Sequence, residues 1–294
     1  MTISRTVAAE LLRNVQRGLS PIELVYVPNE RWPLPRVLSP ARLNDGLSIS
    51  ILDSSFNPPT KAHLALANMP RRHVRGLAYD AKLFLLSVRN ADKTLKPTDP
   101  SYIQRLEMMT LLAHDTVKPE HRHPVAVAII DEPTFVGKAA KLRVFLEERV
   151  KNLGIQRPEL NFLMGFDTLE RLFAPRYYGD SPDDPEAEAK MHTALDKFFS
   201  PEQDNARVVY ARRGTSPNEE AILALADKYV QQNRVELVEF RDVKVKKKTK
   251  VFAKDLEAIS STQVREAIRT GKTFVNWVTA SIYAYIKREQ IYTE

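Results

Sequence analysis

Residues 48–67 carry the sequence SISILDSSFNPPTKAHLALA. The largely apolar run 48–52 predicts a buried strand, and the alanines and leucines after residue 61 predict a helix. The prolines at 58 and 59 must end the strand, because they remove two backbone donors and fix φ. This stretch therefore predicts a strand, a tight polar turn and a helix, in that order.

The same alternation continues along the chain. Helical patterns fill most of the gaps between strand-like apolar runs, and strands that are apolar almost throughout favour a parallel sheet covered on both faces. We therefore predict an α/β fold, a Rossmann-like doubly wound parallel sheet, in a single domain over 46–294. The predicted strands are 48–53, 82–87, 125–130, 160–165, 207–211 and 235–240. The predicted helices lie near 60–72, 100–114, 138–152, 186–199, 217–231, 262–270 and 279–289.

Residues 1–45 are predicted to form an N-terminal extension. Arginines at 5, 13 and 17 are compatible with a mitochondrial presequence. The apolar residues Val7, Leu11, Leu12 and Val15 recur at helical spacing and favour instead a helix packed on the domain. The stretch 20–45 contains five prolines and is interpreted as an extended connector on the surface.

Composition limits the possible functions. The 294 residues carry a net charge of +7, which fits an acidic ligand but is too dispersed to indicate a nucleic-acid partner. Cysteine is absent, so disulfides and thiolate metal sites are excluded. The apolar runs are too short for a membrane span, so we expect no membrane partner. We expect a cytoplasmic or nuclear protein; the basic run 244–250 is either a nuclear localisation signal or a solvated loop or edge strand.

Two segments predict one anion site. Ligands of doubly wound sheets bind beyond the carboxyl ends of the strands, where the turn 54–60 should lie. Thr60 can cap the following helix, and His63 lies on its first turn. A second segment, 259–265, places hydroxyls and Arg265 at another helix start, although Ser260 could equally be an ordinary N-cap. Free amides, a helix dipole and positive charge suit a polyphosphate.

A third candidate follows the predicted strand 160–165. Gly165 would let a ligand approach the backbone, and Asp167 would accept a ribose hydroxyl or cap a helix; the two readings are balanced. No metal site is predicted, because His121 and His123 have no third ligand at diagnostic spacing. A Walker-type ATPase is disfavoured, because no Gly-Lys-Ser/Thr loop exists.

These motifs resemble a known family. Ser54-Ser-Phe-Asn-Pro58 with Thr60-Lys-Ala-His63, and Ile259-Ser-Ser-Thr-Gln-Val-Arg265, resemble the two signatures of nicotinamide/nicotinate-mononucleotide adenylyltransferases, in the nucleotidylyltransferase superfamily. The resemblance covers about residues 48–294 and is nearest to fungal-type members with an N-terminal extension. The chain departs from the family pattern at Ser54, usually a glycine, and at Ala62. It also lacks the family's ring-stacking tryptophans, for which Phe135, Tyr177 or Tyr178 are possible substitutes.

The resemblance implies adenylyl transfer from ATP to nicotinamide or nicotinate mononucleotide, forming NAD or its deamido form and pyrophosphate. It implies catalytic roles for His63, Arg265 and Thr60, and acceptor-phosphate roles for Lys93 and Arg212. It further implies Mg²⁺ held by phosphates and water, with no protein metal ligand. The implied nucleotide-binding residues are Ser54, Ser55, Phe56, Asn57, Gly165, Asp167, Ser260, Ser261, Thr262, Gln263 and Val264.

Two alternatives remain open. One is an ATP-binding regulatory protein with weak ATPase activity. The other is a nucleotidylyltransferase with another phosphate acceptor. The sequence fixes neither the acceptor nor the oligomeric state.

Overall fold

A sheet of seven strands organises the described part of the chain. A computed structural model describes residues 4–34, 46–69, 78–89, 99–116, 125–151, 157–181, 183–212, 216–238, 256 and 258–293. The strands are β1 (Ile22–Tyr26), β2 (Ser48–Asp53), β3 (Ala81–Ser87), β4 (Val125–Ile130), β5 (Glu159–Gly165), β6 (Ala206–Ala211) and β7 (Val235–Val238). Their order across the sheet is β1-β4-β3-β2-β5-β6-β7.

The strand order reverses at the centre of the sheet. β2 pairs in parallel with β3 on one side and with β5 on the other. The chain runs outward from β2 to β4, then crosses back and runs outward from β5 to β7. The predicted doubly wound parallel sheet is confirmed, and its switch point lies between β2 and β5.

Nine α-helices cover the sheet in the described residues. They are α1 (Arg5–Gln16), α2 (Lys61–Ala67), α3 (Tyr102–Thr116), α4 (Phe135–Val150), α5 (Phe166–Leu172), α6 (Ala187–Phe199), α7 (Glu219–Gln231), α8 (Ser261–Arg269) and α9 (Ala280–Glu289). Residues of α2, α3, α8 and α9 pack in one apolar cluster against the sheet, and residues of α4 to α7 pack in another. Alternate side chains of one strand enter different clusters, as with Ile51 and Leu52 of β2, so the helices lie on both faces.

The described part of the N-terminal region differs from its prediction, because Trp32 and Leu34 are buried and not on the surface. The surface-connector interpretation of 20–45 is wrong for Ile22–Tyr26, which form β1, an edge strand antiparallel to β4. Ile22 and Val25 are buried, so this strand contributes to the core. The preceding helix α1 packs on the domain through Ala8 and Val15, as predicted, although Val7 is exposed.

Three smaller points concern α5, β7 and the length of the helices. The short helix α5 was anticipated only in the interpretation of Asp167 as a helix cap, and its N-cap is Gly165, with Asp167 in the first turn. β7 is described only to Val238, and the basic run 244–250 lies outside the described residues. Among the described residues, no helix combines the length and apolarity needed to cross a membrane.

Candidate functional site: a cleft at the switch point

A cleft of about 920 Å³ opens at the carboxyl ends of β2 and β5. This volume lies near the upper end of the range for ligand pockets, large enough for more than one small ligand. Many of the residues singled out in the sequence line it: Ser54, Ser55, Asn57, His63, Gly165, Asp167, Ser261, Thr262 and Arg265. The first motif (54–63) and the second motif (259–265), separated by some 200 residues in sequence, therefore meet at one cleft.

The turn after β2 is built around a buried aromatic ring. Phe56 is fully buried, and its ring centroid lies 5.3 Å from that of His63 and 5.8 Å from that of Phe84. Its φ of 45° is in the left-handed region, which is strained for a bulky side chain. Phe56 thus packs in the core beneath the cleft surface and is not part of the cleft lining. Its neighbours Ser54, Ser55 and Asn57 line the cleft.

His63 is held by hydrogen bonds at both ring nitrogens. The backbone N–H of Thr60 donates to Nδ1 at 3.1 Å, and the Thr60 hydroxyl lies 2.9 Å from the same nitrogen. Because Nδ1 accepts from an amide, the proton of the neutral ring must be on Nε2. Nε2 faces the cleft and lies 3.0 Å from Ser54 Oγ, to which it donates.

Thr60 caps α2, as the motif predicted, but it lacks the direct contact with the cleft that the catalytic role implied by the resemblance would need. It is fully buried and caps α2 in a box with His63, and it does not line the cleft. Thr60 therefore acts on the site through His63, whose tautomer and orientation it fixes.

Asn57 connects three parts of the chain. Its side-chain N–H donates to Asp99 Oδ1 at 2.8 Å, and its side-chain oxygen accepts from the Tyr292 hydroxyl at 2.7 Å. Its backbone carbonyl accepts from Arg265 Nη1 at 2.5 Å. Asp99 is in turn 3.5 Å from Arg105, a buried guanidinium whose pKa is lowered by desolvation. One buried asparagine thereby fixes the first motif to the second and to the C-terminal segment.

The second motif divides into capping and cleft-lining residues. Ser260 accepts from the amide of Gln263 at 3.2 Å, and Gln263 bonds back to the Ser260 amide, so this pair forms a capping box. The ordinary N-cap alternative thus describes Ser260, and Val264 is buried in the core. None of these three is part of the cleft lining.

The cleft-lining residues of the second motif are tied to the first. Ser261 Oγ donates to the Pro58 carbonyl at 2.8 Å. Arg265 reaches from the second turn of α8 to the Asn57 carbonyl, and its Nη2 lies 3.1 Å from Thr262 Oγ1. These contacts hold the Arg265 guanidinium against the turn that precedes α2, the helix that carries His63.

The carboxyl end of β5 forms the opposite wall. Gly165 is the N-cap residue of α5, in extended conformation, and Asp167 lies in the first turn. Asp167 is exposed and lines the cleft, together with the partly buried Arg171, Tyr177 and Tyr178. Of the two candidate acceptor-phosphate residues, Arg212 pairs with Glu219 at 2.6 Å and does not line the cleft, and Lys93 is outside the described residues.

Sequence reasoning pointed to Phe135 but missed two residues of the wall beside β4, Asp53 and Lys138. Asp53, the last residue of β2, pairs with Lys138 of α4 at 2.5 Å. Phe135 lies one turn before Lys138 and lines the same wall. An acid at a strand end and a lysine in a helix are ordinary in sequence, so only proximity in the fold reveals this pair.

The cleft lining is basic on balance. Its described residues include six lysines and arginines and four aspartates and glutamates. At least three of these carboxylates are engaged, Asp53 by Lys138, Asp99 by Asn57 and Glu266 by Arg269. Among the described residues, no group of three His, Asp or Glu side chains could hold a metal ion. The charge distribution suits an anionic ligand.

The sheet order and the cleft at its switch point define a Rossmann-like α/β protein. The sequence matches no family model. It is 34% identical over 153 residues to a curated relative from Schizosaccharomyces pombe named "Putative nicotinamide mononucleotide adenylyltransferase". The alignment covers 52% of this chain and 49% of the relative, so the chain spans about half the length of the curated relative it matches. The relative bears the family name that the two motifs indicate.

Two solved structures of Plasmodium falciparum nicotinic acid mononucleotide adenylyltransferase are also similar. The one complexed with NaAD is 14% identical with a TM-score of 0.48, and the one complexed with APC is 13% identical with a TM-score of 0.46. Each comparison covers 84% of this chain and 97% of the other. Likeness at this level adds nothing to the fold class, which rests on the sheet topology itself.

Proposed function

We propose that this protein transfers the adenylyl group of ATP to nicotinamide mononucleotide or nicotinate mononucleotide. The products are NAD, or its deamido form, and pyrophosphate. The observation that carries the proposal is the contact of Arg265 with the Asn57 carbonyl, which joins the two signature segments at one basic cleft. The motif resemblance and the curated relative support the same activity.

The reaction is an in-line displacement. A phosphate oxygen of the acceptor forms a bond to the α-phosphorus of ATP, and the bond from that phosphorus to the β-bridging oxygen breaks. Pyrophosphate leaves with the electron pair. No protein nucleophile is required, so catalysis rests on positioning and on stabilising charge as it develops.

His63 and Arg265 supply that stabilisation. The Nε2–H of His63 points into the cleft and would donate to the α- or β-phosphate in place of its present acceptor, Ser54 Oγ. The guanidinium of Arg265 would grip β- and γ-phosphate oxygens, since its planar fork matches two oxygens at once. Thr60 is a positioning residue that keeps the His63 proton on the cleft side.

The two substrates would occupy opposite walls. The ATP nucleoside would lie beside β5, with Gly165 at the backbone and Asp167 accepting a ribose hydroxyl. The acceptor ring would lie beside β4, against Phe135. The Lys93 and Arg212 roles at the acceptor phosphate stay predictions.

Mg²⁺ would arrive with ATP. It would be held by phosphate oxygens and water, since Mg²⁺ commonly keeps several waters and binds through substrate phosphates. The described cleft offers Asp167 and engaged carboxylates rather than a cluster of ligands, which suits this mode. We expect the protein to act in the cytoplasm or the nucleus.

The test is a product assay with a panel of acceptors. ATP, Mg²⁺ and either mononucleotide should yield equal amounts of dinucleotide and pyrophosphate. ATP binding without dinucleotide would overturn the proposal in favour of a regulatory protein with weak ATPase activity. Transfer only to another phosphate compound would retain nucleotidyl transfer and overturn the choice of acceptor.

A further inference from the structure

A buried ion pair lines the acceptor wall of the cleft. Lys138 Nζ lies 2.5 Å from Asp53 Oδ2, and their side chains are 5% and 9% exposed. Both residues line the cleft, at the point where β2 ends and the Ser54–Asn57 turn begins. The pair therefore lies beside the space in which the substrates would meet.

Stability alone is a weak explanation for this pair. Removing two charges from water costs free energy that their attraction often only offsets, and apolar residues of similar volume are frequently as stable. The pair also retains capacity for a ligand: an ammonium group has three donors, and a carboxylate can accept several hydrogen bonds.

The aromatic ring of Phe135 lies next to the ion pair. Phe135 lines the same wall, and Lys138 Nζ lies 4.9 Å from its ring centroid. A flat ring resting on Phe135 would hold its substituent near both a cationic donor and an anionic acceptor. A carboxamide offers one group for each, since its oxygen accepts and its nitrogen donates.

We infer that Asp53 and Lys138 make this cleft select an acceptor whose ring carries an uncharged carboxamide over one that carries a carboxylate. The amide N–H donates to Asp53 and the amide oxygen accepts from Lys138. A carboxylate only accepts, and it places a second negative charge beside Asp53. This inference rests on the proposed function and chooses between its two acceptors.

The test compares kcat/KM for the two mononucleotides within each variant, so that general loss of activity or stability cancels. Wild-type protein should prefer nicotinamide mononucleotide by about tenfold or more, the scale of one hydrogen bond to a buried charged group. Asp53→Asn keeps the shape and removes the charge, and should shift the ratio by about tenfold toward nicotinate mononucleotide.

A matched control is available on α4, the helix that carries Lys138. Lys141 pairs with Glu132 at 3.2 Å, and neither residue lines the cleft. Lys141→Met should leave the ratio unchanged. Equal use of both acceptors by the wild type, or an unchanged ratio in Asp53→Asn, overturns this inference and leaves the proposed function standing. Absence of dinucleotide from either acceptor overturns the proposed function, and this inference with it.

Discussion

His63 is the residue on which the proposed chemistry depends most. Its Nδ1 accepts from the Thr60 amide, and its Nε2 proton faces the cleft. His63→Ala removes this donor, and we expect turnover to fall about a hundredfold or more, the usual scale for losing one charge-stabilising donor. Steady-state rates of dinucleotide formation measure the effect.

Two controls accompany this variant. The capping box is lost with the ring, so unfolding free energy should fall by about 1 kcal/mol, too little to unfold the protein. His192→Ala, an exposed histidine on α6, should retain wild-type turnover. Near-normal turnover in His63→Ala would exclude this ring from the chemistry.

Sequence predicted the motif residues better than their roles. Asn57, His63 and Arg265 lie at the cleft, as their motifs indicated. Thr60 was assigned both a helix cap and a catalytic role; it is fully buried and caps α2, because a cap and a ligand hydroxyl look alike in sequence. The Asp53–Lys138 pair was missed because neither residue belongs to a motif and the two are 85 residues apart.

At the scale of elements, β1 joins the N-terminal region to the sheet. Ile22 is 3% exposed and lies opposite Ile130 of β4. Ile22→Ala should lower the unfolding free energy by about 2–5 kcal/mol, as other large-to-small core changes do. Urea denaturation measures this, with Leu19→Ala, at an exposed position, as the control. A change below 0.5 kcal/mol, the usual limit for surface substitutions, would contradict the burial of β1.

The C-terminal segment supports the first motif. Tyr292 is buried, which raises the pKa of its hydroxyl, and it donates to Asn57. Tyr292→Phe leaves the Asn57 oxygen without this donor and should cost about 1–3 kcal/mol of stability. The KM for ATP should also rise, because Asn57 anchors Arg265.

Denaturation and steady-state kinetics test this prediction together. Tyr283→Phe, on α9, is the matched control, and its unfolding and KM should equal those of the wild type. Unchanged stability and KM in Tyr292→Phe would show that the Asn57 contact is dispensable.

Elements were largely predictable from apolar runs. The six predicted strands match the observed ones within one residue at each end, although the predicted end of the last, residue 240, is outside the described residues. β1 was not predicted as a strand, because Pro21 and Pro28 flank it. Its buried residues are also interrupted by partly exposed ones, as is common in an edge strand. Periodicity could not separate α5 from β5, since Phe166 continues the apolar run of the strand.

At the scale of the whole molecule, the doubly wound sheet brings the two motifs together at one cleft. It brings Arg265 to a carbonyl 208 residues earlier in the chain. The resulting cleft is basic and lies at the switch point. Topology of this kind follows from alternating strands and helices, whereas the choice of acceptor depends on side chains that only the folded wall assembles.

The measurement that tests adenylyl transfer most directly follows the label from each phosphate of ATP. With Mg²⁺ and nicotinamide mononucleotide present, label at the α-phosphate should appear in the dinucleotide, and label at the γ-phosphate should appear in pyrophosphate. The contrary result is γ-label released as inorganic phosphate, with the α-label left in ADP whether or not the acceptor is present. That outcome would mean that the cleft binds and hydrolyses ATP without transferring its adenylyl group.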